Sequence, residues 1–356
     1  MHVNKLFLHI GLSKTGSSAI QSWLSANSEA LAEFDVSYAD LYPDAKLDKI
    51  SPGNGEHIVR FLRLKGRQEM PDRRLVREIR RTYFDGMPTA IVSAEAMTNA
   101  GAAGIRRLKH VLEELDLEVI VIAYVRSIYD HFWSGYQQLI KRSGYHDGPA
   151  EFAATYPNVQ VNALRRWSTY FPDMRVINYD TVKDSLIESF AGACELELPA
   201  GVETGVARIN RSLSAAERAL LIDVNRQAEE RGLEFRALLS DALVYASPET
   251  ESAFVYDPEV LKLLRNSFED DVAWVNENLL PDDPITIEPT AEVDGTALPG
   301  GEPEVAPEVS AVIGALLDQI VEPAPFVKGK GEEPSERPQG SDGRGASAKR
   351  RKANLS

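Results

Sequence analysis

Cysteine is nearly missing from this sequence: Cys194 is the only one among 356 residues. A disulfide framework and any multi-cysteine metal site are thereby excluded, which fits a reducing cytoplasm. Histidine is scarce too. The six present fall at no helical ligand spacing, so no metal is expected. Long apolar runs are absent: nowhere do about 18 apolar residues follow one another, and the first run stops at Gly11-Leu-Ser-Lys14, short of a signal-peptide core. Neither a transmembrane segment nor export by the usual signal is expected. Positive charge is also in deficit, with 39 Lys and Arg against 54 Asp and Glu and a formal net charge of −15. Phosphate-backbone binding needs a basic face, so nucleic acid is a poor partner, and any small anion has to be met by a few local cations.

What the chain does hold is apolar content, 43% of its residues, enough for a sizeable core. It is concentrated in residues 1–280. Residues 281–356 are rich in Pro, Glu, Gly and Ser and cannot bury enough surface to offset their ordering entropy, so a largely disordered tail is expected. One stretch in it, VSAVIGALLDQIV, suits a short amphipathic helix at 308–321 that docks on the body or on a partner. The closing AKRRK is a solvated basic end or a contact for an acidic surface.

Within the body, short apolar runs alternate with helical patterns, which predicts an α/β fold with a central parallel sheet flanked by helices. Strands are expected at Lys5–Ile10, Val36–Ala39, Ala90–Ser93, Glu118–Tyr124 and Arg175–Tyr179. Helices are expected at Ser18–Glu33, Gly104–Leu115, Ile128–Ile140, Ala163–Tyr170, Thr181–Cys194, Ala215–Glu230 and Pro258–Asn278. Ser214-Ala-Ala-Glu217 reads as a capping box for the sixth of these.

The first strand opens into LFLHIGLSKTGSS, Leu6 to Ser18. Strand, glycine-flanked turn and helix is the order an anion-binding loop requires, because free amides and the positive helix end point into the turn. An ATP or GTP loop has the form G-x-x-x-x-G-K-[ST]. Here Gly11 and Gly16 keep that spacing, but Ser17 stands where the lysine belongs and Lys14 lies inside the loop. A second candidate follows the most hydrophobic strand, in EVIVIAYVRSIYDHFWSGYQQLIK. Arg126 sits at the strand end and Ser134 eight residues on, offering a guanidinium fork and a hydroxyl to a phosphate.

HIGLSKTGSSAIQSWL resembles the 5′-phosphosulfate loop of sulfotransferases that use 3′-phosphoadenosine 5′-phosphosulfate (PAPS), usually P-K-[ST]-G-[ST]-[ST]. Arg126 and Ser134 resemble the same family's R-x-P-x-x-x-x-x-S-x-Y pattern, with Ile128 in place of its proline. Ser13 replaces the loop proline, and Ala19 replaces a tryptophan of many cytosolic members. The resemblance covers roughly residues 3 to 280 and implies a three-layer, P-loop-like fold. It implies that Lys14, Thr15, Gly16, Ser17 and Ser18 hold the 5′-phosphosulfate, and that Arg126 and Ser134 hold the 3′-phosphate. Tyr179 would lie near the adenine, with Arg208 or Arg211 closing over the 3′-phosphate.

Sulfuryl transfer asks the protein to hold nucleophile and leaving group in line and to neutralise charge on the leaving oxygen. Lys14 is the expected cation for that oxygen. Cytosolic members draw a general base from a histidine at the end of the strand before the arginine strand, and other branches use a glutamate. Here that strand, AIVSAEAM, ends in Glu95, which is therefore the expected base, with Ser93 supporting substrate or cofactor from the same side. His57, in GNGEHIVRF, is a candidate for the acceptor pocket or an exposed loop residue, and the sequence leaves the facing of His131 open. Lys141, Arg142 and His146 would border the acceptor. The motifs select no acceptor among a carbohydrate, a lipid headgroup, a small alcohol or phenol, and a protein tyrosine. Two rivals remain: a P-loop nucleotide kinase using ATP and magnesium, and a nucleotide-binding relative without turnover.

Overall fold

A computed structural model of the chain describes residues 4–39, 41, 53–63, 72–197, 212–233, 238–246, 255–291, 298–299 and 305–321. Its centre is a five-stranded, all-parallel sheet flanked by helices, consistent with a three-layer P-loop-like fold. In chain order come β1 (Asn4–Ile10), α1 (Ser17–Ala26), α2 (Ser28–Ala32) and β2 (Val36–Ser37). Then follow α3 (Glu56–Leu62), α4 (Asp72–Glu78) with a π-helical turn over Ile79–Phe84, β3 (Thr89–Ala94) and a 3-10 turn over Glu95–Asn99. Next are α5 (Ala102–Glu114), β4 (Leu117–Val125), α6 (Ile128–Ser143), α7 (Pro149–Thr155), α8 (Val159–Ser168), β5 (Arg175–Asn178), α9 (Tyr179–Val182) and α10 (Leu186–Ala193). The C-terminal part holds α11 (Ala215–Glu230), α12 (Leu238–Ala246), β6 (Val255–Tyr256), α13 (Pro258–Asn278), β7 (Leu298–Pro299) and α14 (Pro307–Val321).

The strand order is β2-β3-β1-β4-β5. From β1 the chain crosses to the edge strand β2, fills the gap with β3 and then passes to β4 and β5 on the other side, so the topological switch point lies at the C-terminal end of β1, where open α/β sheets bind ligands. Side-chain alternation divides the core into two layers. Leu6, Leu8 and Ile10 of β1, with Val121, Ala123 and Val125 of β4, pack among α3, α5, α6 and α8. Phe7 of β1, with Ile120, Ile122 and Tyr124 of β4, packs among α1, α2 and α10.

On that second face lies a buried polar cluster. His9 Nδ1 is 2.8 Å from Ser93 Oγ, which also accepts from Gln21 Nε2 at 3.0 Å. Ser93 is thus committed to the core beneath α1 and does not face a substrate, contrary to the sequence expectation. Burial pushes His9 down to about 3. The folded state keeps its imidazole neutral, while the unfolded chain binds a proton below about 6.5. Stability should therefore fall as pH drops from 6.5 toward 3, by on the order of 4 kcal/mol for this one group. Melting midpoints measured from pH 7 to pH 4 check this, and His9→Asn should flatten the fall.

Where the composition changes at Pro281, the packing does not. Ile285 is buried, and its N–H and carbonyl exchange hydrogen bonds with the Asn276 side chain at 2.9 Å each. The strap continues over the start of α6, with Ser127 Oγ donating to the Glu288 carbonyl at 2.6 Å and Thr290 Oγ1 donating to Asp130 Oδ2 at 2.6 Å. Beyond it, α14 rests on α11 through Arg231 to Asp318 at 2.7 Å and Gln227 to the Ser310 carbonyl at 3.0 Å. No described helix is long and apolar enough to cross a membrane.

Candidate functional site

Strand register brings the site together. Ile10 of β1 is level with Ala94 of β3, so Gly11 and Glu95 leave the sheet side by side, and the Gly11 N–H donates to the Ala94 carbonyl at 3.3 Å. Val125 of β4 is level with Asn178 of β5, which sets Arg126 beside Tyr179. Four strand ends thus supply the loop, Glu95, Arg126 and Tyr179 at one edge of the sheet.

The loop turns by left-handed backbone at Lys14 (φ 64°) and Gly16 (φ 78°). A lysine in that region is strained, and its neighbours hold it there. Thr15 Oγ1 and Ser17 Oγ both donate to the Leu12 carbonyl, at 2.7 and 3.2 Å. Those two buried hydroxyls therefore shape the loop from inside, while Ser18 is only half-buried. Gly16 has no room for a side chain, since a Cβ would run into Leu186 and Tyr179. Gly11 is required by close approach: a Cβ there would lie 2.7 Å from Ser17 Oγ and 3.2 Å from Glu95 Cγ.

The two helices that begin at this edge are finished in opposite ways. At α1 the cap is Gly16, without a side-chain cap, and the first main-chain bond runs from Ile20 N to the Gly16 carbonyl at 3.0 Å. The N–H groups of Ser17, Ser18 and Ala19 have no acceptor among the described residues. At α6 every early amide is taken. Ser127 N donates to Asp180 at 2.7 Å, Ile128 N to the Thr286 carbonyl at 3.0 Å, Tyr129 N to the Ile287 carbonyl at 3.2 Å and Asp130 N to Ser127 Oγ at 3.3 Å. Of these two helices, α1 is the one that offers free amides and an open dipole to an anion.

Lys14 reaches across to α6, where its Nζ donates to Gln138 Oε1 at 2.9 Å. Burial lowers its ammonium below the ordinary value, opposed by Glu95 and assisted by Arg142 and Arg126. Glu95 opens the 3-10 turn after β3 rather than closing the strand, and it is exposed. The surrounding protein still desolvates the carboxyl and raises it above the ordinary value, while Lys14 pulls it back.

Arg126 Nη1 donates to the Lys14 carbonyl at 3.3 Å, tying the second candidate directly to the loop. Its Nη2 lies 3.3 Å from Asp180 and 3.5 Å from Asp130, and its guanidinium sits over the Tyr179 ring at 5.3 Å. Arg126 Nε is buried without a partner. A phosphate at Arg126 meets two carboxylates as well as the guanidinium, so this end of the site is less cationic than the sequence suggested. Burial raises Asp180 above its usual value, with Arg126 and the Ser127 N–H opposing. Tyr179 begins α9 instead of ending a strand. Ser134 falls between His131 and Gln138 on the helical stripe that faces the loop.

Arg208 and Arg211 lie outside the described residues. His57 is on α3, with its ring 6.1 Å from that of Tyr83 and not in a loop. The cations after Gln138 are engaged by the protein: Lys141 is buried, Arg142 lies 2.8 Å from Asp241, and His146 lies 3.1 Å from Glu229. They give no support to an anionic acceptor. Sequence reasoning missed Gln138, which receives Lys14, and the pair Asp130 and Asp180 around Arg126. Of these, Gln138 and Asp130 carried a local signal, the one four residues after Ser134 on the same helix and the other four residues after Arg126.

No family model matches the chain. No curated protein and no solved structure matches it either.

Proposed function

We propose that the chain is a sulfotransferase that moves a sulfuryl group from PAPS to a hydroxyl or amine acceptor. The observation that carries this reading is the open α1 terminus with its lysine inside the turn, between Glu95 and α6, rather than at position 17. Ser17 instead turns its hydroxyl back onto the Leu12 carbonyl, which leaves a kinase loop without its cation.

The residues present suit such a donor. Amides of Ser17, Ser18 and Ala19 would hold the 5′-phosphate, and Gly16 lets the backbone come close. Arg126, with an unpaired buried Nε and a bond to the loop carbonyl, would serve the 3′-phosphate together with Ser134. Tyr179, under the guanidinium, would bound the adenine side. PAPS supplies the sulfuryl group, and the remaining work falls to two side chains. Lys14 neutralises charge growing on the bridging oxygen, a role its low-dielectric setting strengthens. The Glu95 carboxylate, made more basic by desolvation, would take the proton of the acceptor hydroxyl.

Thermal shift separates this from its rivals. The product 3′-phosphoadenosine 5′-phosphate should stabilise the protein, whereas ADP with magnesium should not. The reverse pattern would establish a kinase, and no shift with either ligand would remove the nucleotide site. Sulfate transfer to a panel of sugars, alcohols, phenols and tyrosine peptides must then follow, since a binding relative without turnover would pass the first test.

A further inference from the structure

Beside the loop lies a chain of three polar groups from three segments. Ser13 Oγ is 3.1 Å from Nε2 of His131, and Nδ1 of His131 is hydrogen-bonded to the Tyr156 hydroxyl. His131 is 3% exposed, on the α6 stripe that also carries Gln138. The Tyr156 ring is clamped by Phe132, Phe152 and Phe268, with centroids 5.2, 5.3 and 5.9 Å away. Three packed aromatic contacts fix where its hydroxyl points.

The direction of these bonds follows from what each group can do. Burial pushes the Tyr156 phenol far above its usual value, so it stays protonated. Among the described residues its hydroxyl meets His131 Nδ1 alone, so the phenol is the donor and Nδ1 the acceptor. Burial also holds His131 near 3, with Arg126 and Lys14 adding to the fall and the Ser13 main chain opposing it. A neutral imidazole has one N–H, and with Nδ1 accepting, that proton is on Nε2 and points at Ser13. Ser13 Oγ therefore accepts from His131, which leaves its own hydrogen free to donate to another group at the loop.

We infer that Ser13 is a further ligand-binding residue of this site, its hydroxyl donating to an oxygen of the anionic group on the loop, with that direction set by His131 and Tyr156. The inference rests on the proposed function for the identity of the anion. A hydrogen-bond chain running Tyr156 to His131 to Ser13 polarises its last donor and costs no reorientation when the anion arrives. Ser13 is the contact residue, and His131 and Tyr156 are positioning residues.

The tautomer is read on the full chain labelled with nitrogen-15 histidine, using His131→Gln for assignment. The Nε2–H form is expected at pH 7, and the Nδ1–H form would overturn the direction of the chain. Calorimetric titration with 3′-phosphoadenosine 5′-phosphate supplies the second readout. Ser13→Ala should weaken binding about 10-fold and Tyr156→Phe about 3-fold. In the Ser13→Ala background, Tyr156→Phe should add nothing, because it acts through Ser13. An additive effect would reveal a merely structural tyrosine and overturn the positioning role. Binding by the wild-type chain that Ser13→Ala leaves unmoved overturns this inference alone. A wild-type chain that binds no such nucleotide overturns the proposed function and Ser13 as its contact together.

Discussion

Lys14→Ala should cost about 10²–10³ in turnover, the usual loss when one preorganised stabiliser of developing charge is removed, and it should weaken nucleotide affinity as well. Two features make this position sensitive. The ammonium is held between Gln138 and Glu95 in a setting that desolvates it. Its backbone is left-handed, which alanine tolerates no better than lysine, so the loop shape is preserved by Thr15, Ser17 and Arg126 rather than by residue 14 itself. The loss should then reflect the missing charge and not a collapsed loop. Single-turnover rates and nucleotide titrations on one preparation check this, and wild-type values for both would remove Lys14 from the site. Arginine should rescue poorly, because a planar fork does not fit where a compact ammonium meets one oxygen.

Glu95→Gln should leave nucleotide binding intact while turnover falls by about 10²–10⁴, the range for a lost general base. The amide keeps the size and polarity of the side chain beside Gly11, so the loop is not disturbed. Desolvation raises the Glu95 carboxyl and Lys14 opposes it, so in the wild-type chain turnover should decline on the acid side of a pH above the ordinary glutamate value. That acid limb should vanish in Glu95→Gln. Lys14→Ala should move it further upward, since the opposing cation is gone. Unchanged turnover in Glu95→Gln would refute the assignment, and an acid limb that persists would assign the titration to another group.

The parallel sheet was legible because its strands are apolar on both faces: LFLHI and VIVIAYV each serve two core layers at once. The anion loop was legible because glycine spacing and a lysine are local signals. Helix interruptions were not. The helix expected over Ser18–Glu33 breaks at Asn27, whose side chain bonds the Trp23 carbonyl at 2.9 Å, and α4 is hidden by a run of exposed arginines with few apolar markers. The facing of His131 could not be read from α6 alone, because Tyr156, 25 residues on, decides it. Asp180 escaped notice for the same reason, since it follows the neighbouring strand β5, whereas Asp130 lies only four residues after Arg126. The strap over residues 281–290 has the composition of a tail. Its attachment runs mostly through main-chain groups and polar side chains, which leave no apolar period to detect.

That strap also fixes an order of events during synthesis. Ser127 meets Glu288 across 161 positions of sequence, and Asp130 meets Thr290 across 160. Contacts so distant form late, after the loops between them have closed. A nascent chain that has emerged only as far as Leu280 already contains both anion loop and Arg126, yet the amides of Ile128 and Tyr129 are still uncovered. At this edge of the sheet it then leaves both the α1 and the α6 start open to passing phosphates, where the finished protein covers that of α6. Choice between those starts belongs to the last-made part of the body.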